Sequence, residues 1–316
     1  MKRRSSTFNP GPVSLPLLAA LLTLASPCAR GEVLTLIPVA DTTLSQTYPE
    51  NNFGAMPFFN SGTTQNSNLN RGLLKFDLAG ALPPNSTIQS AALTLEVVWV
   101  PNEDFPSARF NLHRMLRPWG EGTKLNAPEG GLGQGSPATT NEATWTHRFA
   151  FTPEIWSQPG ARAPDDFTSV ISSGVTVGGM DQSPYTIPGA SGLVADLQHW
   201  LDQPEENHGW VLLCQQEATK FTARRFGSRE DEFNAPRLEV SFLVRPRIEA
   251  TGQTVGQSSF AFTTRAGQSY AVEFKDALDS GDWQLLTNFG QILEATNVYW
   301  SDAASSTQRF YRILTQ

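Results

Sequence analysis

The sequence predicts an all-β fold: a jelly-roll-like β-sandwich with one short helix, followed by a small β-sandwich module. Most apolar runs are short, rich in β-branched or aromatic residues, and bounded by Gly, Pro, Asn or Ser, which is typical of strands. The 25 Gly and 22 Pro residues supply many turns. The 19 Phe and 8 Trp residues can fill packed cores, which excludes a disordered chain.

The strands predicted for the first domain are Val33–Val39, Arg71–Asp77, Ile88–Val100, Arg109–Met115, Ser169–Val177, Gly209–Gln215, Phe221–Phe226 and Arg237–Val244. The run over residues 88–100 alternates and places Trp99 on the same face as Leu93. We therefore expect Trp99 to be buried. We expect the same of Trp200 and Trp210, which also lie in apolar segments.

A single helix is predicted over Gly192–Leu201, because its apolar residues recur at helical spacing and form one face. Ser191 is the expected N-cap, and Pro204 lies just past the end. A helix this short is expected to cover one open end of the sandwich.

The segment Arg245-Pro246-Arg247 follows the last of these strands and predicts a domain boundary, with a sandwich over residues 32–244 and a small module over residues 245–316. The strands predicted for the module are Ser258–Thr263, Ser269–Phe274, Trp283–Leu286, Val298–Trp300 and Arg309–Leu314. About 70 residues are enough for a modest core of their own.

Residues 1–31 are predicted to be a signal peptide. Residues 2–4 are basic, Leu15–Ala25 is an apolar run too short to span a bilayer, and Ala29-Arg30-Gly31 is a plausible cleavage site. Elsewhere we find no apolar stretch of membrane-spanning length in the sequence. The mature chain is therefore expected to be secreted or periplasmic, with no membrane span.

The formal net charge is −7, and removal of the predicted signal peptide would remove basic residues and no acidic one. An acidic chain repels the phosphate backbone, so a nucleic-acid partner is not expected. Cys214 is the one cysteine after residue 31, and its apolar neighbours predict a buried thiol.

Sequence pieces spread over the first domain carry a family resemblance. They include Ala40-Asp41-Thr42-Thr43, Asn51-Asn52-Phe53-Gly54, Arg71-Gly72-Leu73-Leu74-Lys75-Phe76-Asp77-Leu78, Arg117-Pro118-Trp119-Gly120-Glu121-Gly122, Asn207-His208-Gly209-Trp210 and Phe226-Gly227-Ser228-Arg229-Glu230. In number and order they resemble the DNRLRE-type domain, also classed as carbohydrate-binding module family 96. This resemblance implies a β-sandwich that binds carbohydrate without catalysis. The last piece departs from the family pattern and keeps only Arg229-Glu230.

The tail of the chain, from Ala266 to Glu273 and from Arg309 to Ile313, is similar to a short β module that ends many secreted bacterial proteins. We associate no chemistry with that module.

The sequence contains none of the common nucleophile, phosphate-binding or zinc-protease motifs. The four histidines have no metal-ligand spacing to other ligands. Two acids across a cleft would suffice for a glycosidase, and Glu121, Asp196 and Glu230 lie in the family-like pieces. We expect these acids to order loops or to pair with arginines.

The Gly- and Pro-rich segment 120–141 predicts a long loop, and such loops are often functional.

Carbohydrate binding would use flat aromatic faces and hydrogen-bonding side chains, with cations for acidic sugars. Lys220 and Arg225 belong to the basic residues available for this. The residues that we select as ligand-binding candidates are Arg71, Lys75, Arg109, Arg114, Arg224 and Arg229, with Trp119 and Trp145 as aromatic candidates. Each of them could instead pack or pair within the fold.

Calcium is the one cofactor that the sequence suggests, because oxygen ligands on loops suit this ion. The candidate ligands are Asp41, Asn51, Asn52 and Asp77. The same side chains could instead hydrogen-bond the local backbone in Asx turns.

The favoured function is an exported, non-catalytic protein that binds a polysaccharide or cell-surface glycan, with an acidic polymer such as a uronan as one option. The alternative is a structural or adhesive cell-surface or matrix protein without glycan specificity. A polysaccharide lyase or hydrolase is less favoured, since the two predicted domains leave no room for a separate catalytic domain. The oligomeric state is left open.

Overall fold

The computed structural model describes residues 31–83, 85–101, 105–126, 133–254, 257–279, 281–303 and 308–315. These residues form mostly antiparallel strands with one α-helix, which confirms the predicted all-β fold. Apart from Gly31, the predicted signal peptide lies outside the described residues. Within the described ranges, none of the helices is both long and apolar enough to cross a membrane.

The strands of the first part of the chain are β1 (Glu32–Leu36), β2 (Ala40–Ser45), β3 (Asn51–Asn52), β4 (Phe58–Thr63), β5 (Leu69–Lys75), β6 (Ser86–Leu95), β7 (Val97–Trp99), β8 (Ala108–Arg114), β9 (Ser136–Pro137), β10 (Ser173–Val177), β11 (Tyr185–Ile187), β12 (Trp210–Cys214), β13 (Arg224–Gly227) and β14 (Arg237–Val244). The helix α1 spans Ser191–Asp202. Single 3-10 turns lie at Met180–Gln182 and Pro204–Glu206.

Two antiparallel sheets organise most of these strands, and β3 pairs with β9 in a separate two-stranded sheet. The smaller sheet has the order β1-β14-β6-β11, and the larger sheet has the order β10-β8-β12-β5-β4-β13-β7. In the larger sheet β2 also pairs with β5, outside this linear order. Most neighbours are distant in sequence, so the chain passes repeatedly from one sheet to the other, as in jelly rolls and related sandwiches. Pairing of β1 with β14 joins the start and end of this part of the chain.

The main core fills the space between the two sheets. The smaller sheet contributes Leu93 and Val240, and the larger sheet contributes Phe110, Leu212 and Phe226, among others. The helix α1 adds its apolar face to the same core, which confirms the predicted helix; its buried residues are Leu193, Leu197 and Trp200.

The start of the helix differs from the prediction. Ala190, not Ser191, occupies the N-cap position, and no side chain caps the first turn. Ser191 is therefore the first helical residue, and the predicted cap was placed one residue too late.

The predicted strand over residues 88–100 is two strands in different sheets. The chain leaves the smaller sheet after β6 and joins the larger sheet as β7. Glu96 lies at the crossing, where its carboxylate accepts a hydrogen bond of 2.7 Å from Ser183 Oγ. The backbone amide of Val97 in turn donates to Ser183 Oγ over 2.8 Å. One long alternating run therefore links the two layers of the sandwich.

A third layer covers part of the larger sheet on the face away from the main core. The long connection between β8 and β10 packs Met115 and Trp156 against Leu73 and Val211 of the sheet. Asp166 is buried in this connection and accepts hydrogen bonds from the backbone amides of residues 157 and 162. Irregular backbone is thus held in place by a buried carboxylate.

The strands of the last part of the chain are β15 (Glu249–Thr254), β16 (Gln257–Thr263), β17 (Tyr270–Lys275), β18 (Gln284–Phe289), β19 (Asn297–Asp302) and β20 (Phe310–Thr315). They form two three-stranded sheets, β15-β16-β19 and β18-β17-β20. Their shared core includes Phe262, Tyr270, Val272 and Trp300. The predicted boundary near residue 245 lies between β14 and β15, and the pairings among the described strands do not cross it.

Candidate functional site

A groove of about 820 Å³ opens on the larger sheet, next to β4, β13 and β7. We call it the amide groove, because six of its lining residues carry side-chain amides. Its lining residues are Ser45, Thr47, Tyr48, Asn60, Thr64, Gln65, Asn66, Asn68, Asn70, Trp99, Pro101, Gly133, Gln134, Phe221, Ala223 and Arg225. Its volume lies in the range of ligand sites, about 300–1,000 Å³.

Strand alternation aims Asn60 and Arg225 into the groove. Their neighbours Phe59 and Phe226 are fully buried in the main core. Successive side chains of a strand point to opposite faces, so Asn60 and Arg225 point away from that core. Arg225 lies directly opposite Asn60 in the β4–β13 pairing.

A β-bulge aims Trp99 into the same groove. In the β13–β7 pairing, Phe226 lies opposite Val97 and Arg225 lies opposite Trp99, so Val98 is an extra residue on β7. A bulge of this kind reverses the alternation and can re-aim a side chain. Trp99 is 37% exposed, and the prediction that it is buried is wrong for this reason, whereas Trp200 and Trp210 are fully buried as predicted.

The guanidinium of Arg225 lies between two aromatic rings. Its Cζ is 4.3 Å from the ring centroid of Phe58 and 4.9 Å from that of Trp99. Burial lowers the pKa of Arg225 from its ordinary value. Gly133 lies against the same guanidinium with φ +95°, and a Cβ there would be 2.3 Å from Arg225 Nη2. The positive φ favours a glycine at position 133, and a Cβ there would also displace the Arg225 guanidinium.

Arg224, a predicted ligand-binding residue, is fully buried instead. Alternation puts it on the same side of β13 as the core residue Phe226, which is a signal that the sequence does contain. Its guanidinium donates to four backbone carbonyls, at 2.9 Å to residue 178, 2.7 Å to residue 106, 3.2 Å to Phe221 and 3.0 Å to Ala223. Because Phe221 and Ala223 line the amide groove, Arg224 supports that groove from beneath.

Hydrogen bonds also fix the loop that contributes Gly133 and Gln134. The side-chain amide of Asn51 donates to the carbonyl of Gln134 over 2.9 Å. Asn126 Oδ1 accepts from the backbone amides of Gly133 and Gln134 at 2.9 and 3.0 Å. Part of the predicted functional loop 120–141 thus forms one wall of the amide groove; its residues 127–132 lie outside the described residues.

Arg71 and Trp145, two further ligand-binding candidates, meet beneath the third layer. Arg71 forms a bidentate ion pair with Glu217, with both N–O distances at 2.8 Å, and also donates to the carbonyls of residues 160 and 161. Its Cζ lies 5.8 Å from the ring centroid of Trp145, which is buried. Their contacts hold the third layer onto the sheet.

The remaining candidates lie apart from one another. Arg114 forms an ion pair of 3.2 Å with Asp196, and the exposed Arg109 donates to a backbone carbonyl of β10 over 3.3 Å. Trp119 is half-buried and donates its indole N–H to a carbonyl over 2.8 Å. Lys75 is half-buried at the end of β5. None of the eight ligand-binding candidates is among the described residues that line the amide groove.

Arg229, the last candidate, belongs to an acidic junction that we define by Asp41, Glu121, Arg229 and Glu230. The Arg229 Nε lies 2.9 Å from carboxylate oxygens of both Glu121 and Glu230. Its backbone amide donates to Asp41 Oδ2 over 2.7 Å, and the Asp41 amide donates to Glu121 Oε1 over 2.9 Å. Glu121, Glu230 and Asp196 are thus paired with arginines, as expected.

Burial changes the proton affinity of this junction. It raises the pKa of the Asp41 carboxyl well above its ordinary value, and it raises the pKa of Glu121 to about 6. Both shifts have desolvation as their main cause, because a buried carboxylate loses its hydration. The hydrogen bonds and the Arg229 charge oppose the shifts without cancelling them.

The candidate calcium ligands Asp41, Asn51, Asn52 and Asp77 all hydrogen-bond to groups of the protein. Asn52 is fully buried, its amide nitrogen donates to the carbonyls of Glu121 and residue 143, and its Oδ1 accepts from the backbone. Asp77 Oδ1 accepts from a nearby backbone amide, which is an Asx-turn contact. In the part of the chain that the structure describes, no three His, Cys, Asp or Glu side chains are grouped to hold a metal ion. The calcium site stays a prediction.

Comparisons with known proteins give no assignment. No family model matches the chain, and no curated protein matches it significantly. The resemblance to carbohydrate-binding module family 96 therefore stays a prediction.

Proposed function

We propose that the mature chain is an exported, non-catalytic protein that binds a polysaccharide through the amide groove. The observation that carries this proposal is the composition of the groove, which combines amide and hydroxyl side chains with an exposed indole. The family resemblance agrees with carbohydrate binding, and the predicted signal peptide agrees with export.

The groove matches the chemistry of sugar rings. Each sugar hydroxyl both donates and accepts hydrogen bonds, and an Asn or Gln side chain offers two N–H donors and a carbonyl acceptor. Asn60, Asn70 and Gln134 line the groove in this way, and Ser45 and Thr64 add hydroxyls. The indole of Trp99 supplies a flat apolar face for the C–H side of a pyranose ring.

The local charge of the groove differs from that of the chain. Arg225 is charged, and the described lining residues include no Asp or Glu. The chain as a whole has a net charge of −7. The proposal therefore includes acidic polymers, because a carboxylate of such a polymer could form hydrogen bonds with the Arg225 guanidinium.

We propose binding without turnover. Glycoside hydrolysis commonly requires two carboxyl groups flanking the scissile bond, and the described lining provides none. Tyr48 is the one described lining residue with an acidic hydroxyl that an elimination reaction could use. An assay for unsaturated lyase products, with the Tyr48→Phe variant as control, checks this point; turnover that depends on Tyr48 would contradict the proposal.

The binding test uses residues 32–316 and a panel of cellulose, xylan, mannan, chitin and pectate. We expect affinity for at least one polymer, measured by affinity electrophoresis and calorimetry. Trp99→Ala should weaken this binding about fivefold, which corresponds to about 1 kcal/mol. The matched control is Phe233→Ala, since Phe233 is 79% exposed and lies outside the groove lining.

Two results would contradict the proposal. The first is a chain that binds none of the polymers at millimolar concentration, which would favour the structural or adhesive alternative. The second is polymer binding that Trp99→Ala and Phe233→Ala leave equally unchanged, which would place the binding surface elsewhere.

A further inference from the structure

The outward side chains of three adjacent strands form a single row across the amide groove. Asn60 on β4 lies opposite Arg225 on β13, and Arg225 lies opposite Trp99 on β7. Residues directly opposite each other in an antiparallel sheet point to the same face. The row is therefore fixed by backbone pairing, not by flexible loops.

The spacing of this row follows from sheet geometry. Neighbouring strands lie about 4.8 Å apart, so the row advances by that distance from Asn60 to Arg225 and again to Trp99. One ring of a linear 1,4-linked pyranose chain has a similar length. A chain laid across the strands would thus present successive rings to successive side chains.

Further lining residues flank the row and give the chain additional contacts. Ser45 on β2 lies opposite Asn70 on β5, and Asn70 lies opposite Gly62, two residues along β4 from Asn60; both Ser45 and Asn70 line the groove. Thr64 and Asn68 extend it at the β4–β5 turn, where the Thr64 amide donates to the Asn68 carbonyl over 2.9 Å. A monosaccharide could contact only a fraction of these groups at once.

We propose that the amide groove binds at least three consecutive rings of a linear polysaccharide, laid across β4, β13 and β7, and not a single sugar. This inference rests on the proposed function and specifies its ligand. Asn60 contacts one end of the bound segment, and Trp99 stacks on a ring at the other end. Affinity then increases with chain length until the row is filled.

The test measures binding of oligosaccharide ladders, from monosaccharide to hexasaccharide, prepared from cellulose, xylan, chitin and pectate. For the ladder that binds, we expect each added ring to strengthen binding about fivefold up to the trisaccharide, with smaller gains beyond it. Trp99→Ala should remove the gain from one ring, so that the affinity stops increasing one ring earlier along the ladder. Phe233→Ala should leave the whole ladder unchanged.

The outcomes separate this inference from the proposed function. If a monosaccharide binds as tightly as the hexasaccharide and Trp99→Ala weakens both equally, the groove binds single sugars and the inference is wrong, although the proposed function survives. If the length dependence is present but insensitive to Trp99→Ala, the segment lies on another surface and the inference is also wrong. If neither polymers nor ladders bind, both proposals fail.

Discussion

Arg224 and Arg225 are adjacent in sequence and have opposite environments. Arg224 is fully buried and bonded to backbone carbonyls, while Arg225 lies against Trp99 in the amide groove. The sequence contains the signal for this difference. Phe226 is apolar and expected in the core, and strand alternation places Arg224 on the same face as Phe226 and Arg225 on the opposite face.

The buried arginine leads to a prediction about stability. Arg224→Met should lower the free energy of unfolding by about 3 kcal/mol, because several buried carbonyls lose their donor. Arg109→Met is the matched control, since Arg109 is exposed and makes one long hydrogen bond, and it should change stability by less than about 0.5 kcal/mol. Urea unfolding measures both. Equal effects of the two substitutions would show that Arg224 does not hold the surrounding loops.

Gly133 gives a second prediction about a single residue. Gly133→Ala should lower stability by about 1 kcal/mol through its positive φ and should also weaken glycan binding, because the added Cβ displaces Arg225. Gly267→Ala is the control: Gly267 has φ +83°, and a Cβ there would meet no atom within 4 Å. Calorimetry should show reduced binding only for Gly133→Ala. Normal binding by that variant would contradict the role given to Arg225.

Among the secondary-structure elements, the sequence predicts strands with alternating apolar residues better than strands rich in polar residues. The strand Arg237–Val244 was predicted with its exact bounds, because apolar residues alternate throughout it. The strands β2 and β4 were missed because their Thr, Ser and Asn residues hide the alternation. These polar strands contribute side chains to the amide groove. The same polar side chains that obscure the hydrophobic alternation can hydrogen-bond a ligand.

The β-bulge at Val98 explains why Trp99 is exposed, although the sequence pattern predicts that it is buried. A pattern of alternation cannot reveal one extra residue in β7, because the bulge depends on the partner strand β13. Trp99 was therefore assigned to the core. The candidate site as a whole could not be predicted for the same reason: Asn60, Arg225 and Trp99 come together only through the pairing of strands that are distant in sequence.

The acidic junction connects β2, the loop after residue 120 and the turn after β13, and it gives a prediction about pH. The pKa of Glu121 is raised from 4.5 to about 6 in the folded chain, so the folded state binds this proton more tightly than the unfolded state. Its contribution to stability is therefore fully present below about pH 4.5 and is lost as the pH rises to about 6, by about 1–2 kcal/mol.

Glu121→Gln should remove the Glu121 part of this pH dependence and leave the part that comes from the raised pKa of Asp41, while its amide oxygen still accepts the Asp41 amide. Urea unfolding at several pH values between about 4 and 7 measures the difference between the original chain and the variant. Glu232→Gln, at an exposed glutamate, should leave the pH profile unchanged. A Glu121→Gln profile that runs parallel to that of the original chain would contradict the assignment of this proton to Glu121.

The whole molecule combines a β-sandwich core, a third layer and an acidic junction with a polar groove on the larger sheet. The net charge of −7 and the guanidinium in the groove have opposite signs. If the ligand is an acidic polymer, its binding should weaken as salt is added, because screening reduces the attraction between a carboxylate and Arg225. A neutral polymer should show little dependence on salt.

The most direct test of polysaccharide binding through the amide groove is a crystal structure of residues 32–316 with a bound oligosaccharide from the ladder that binds. We expect sugar density across β4, β13 and β7, with one ring stacked on Trp99 and hydroxyls hydrogen-bonded to Asn60. Well-ordered sugar density on another surface, for example beside Arg71 or Arg114, with an empty amide groove, would contradict it.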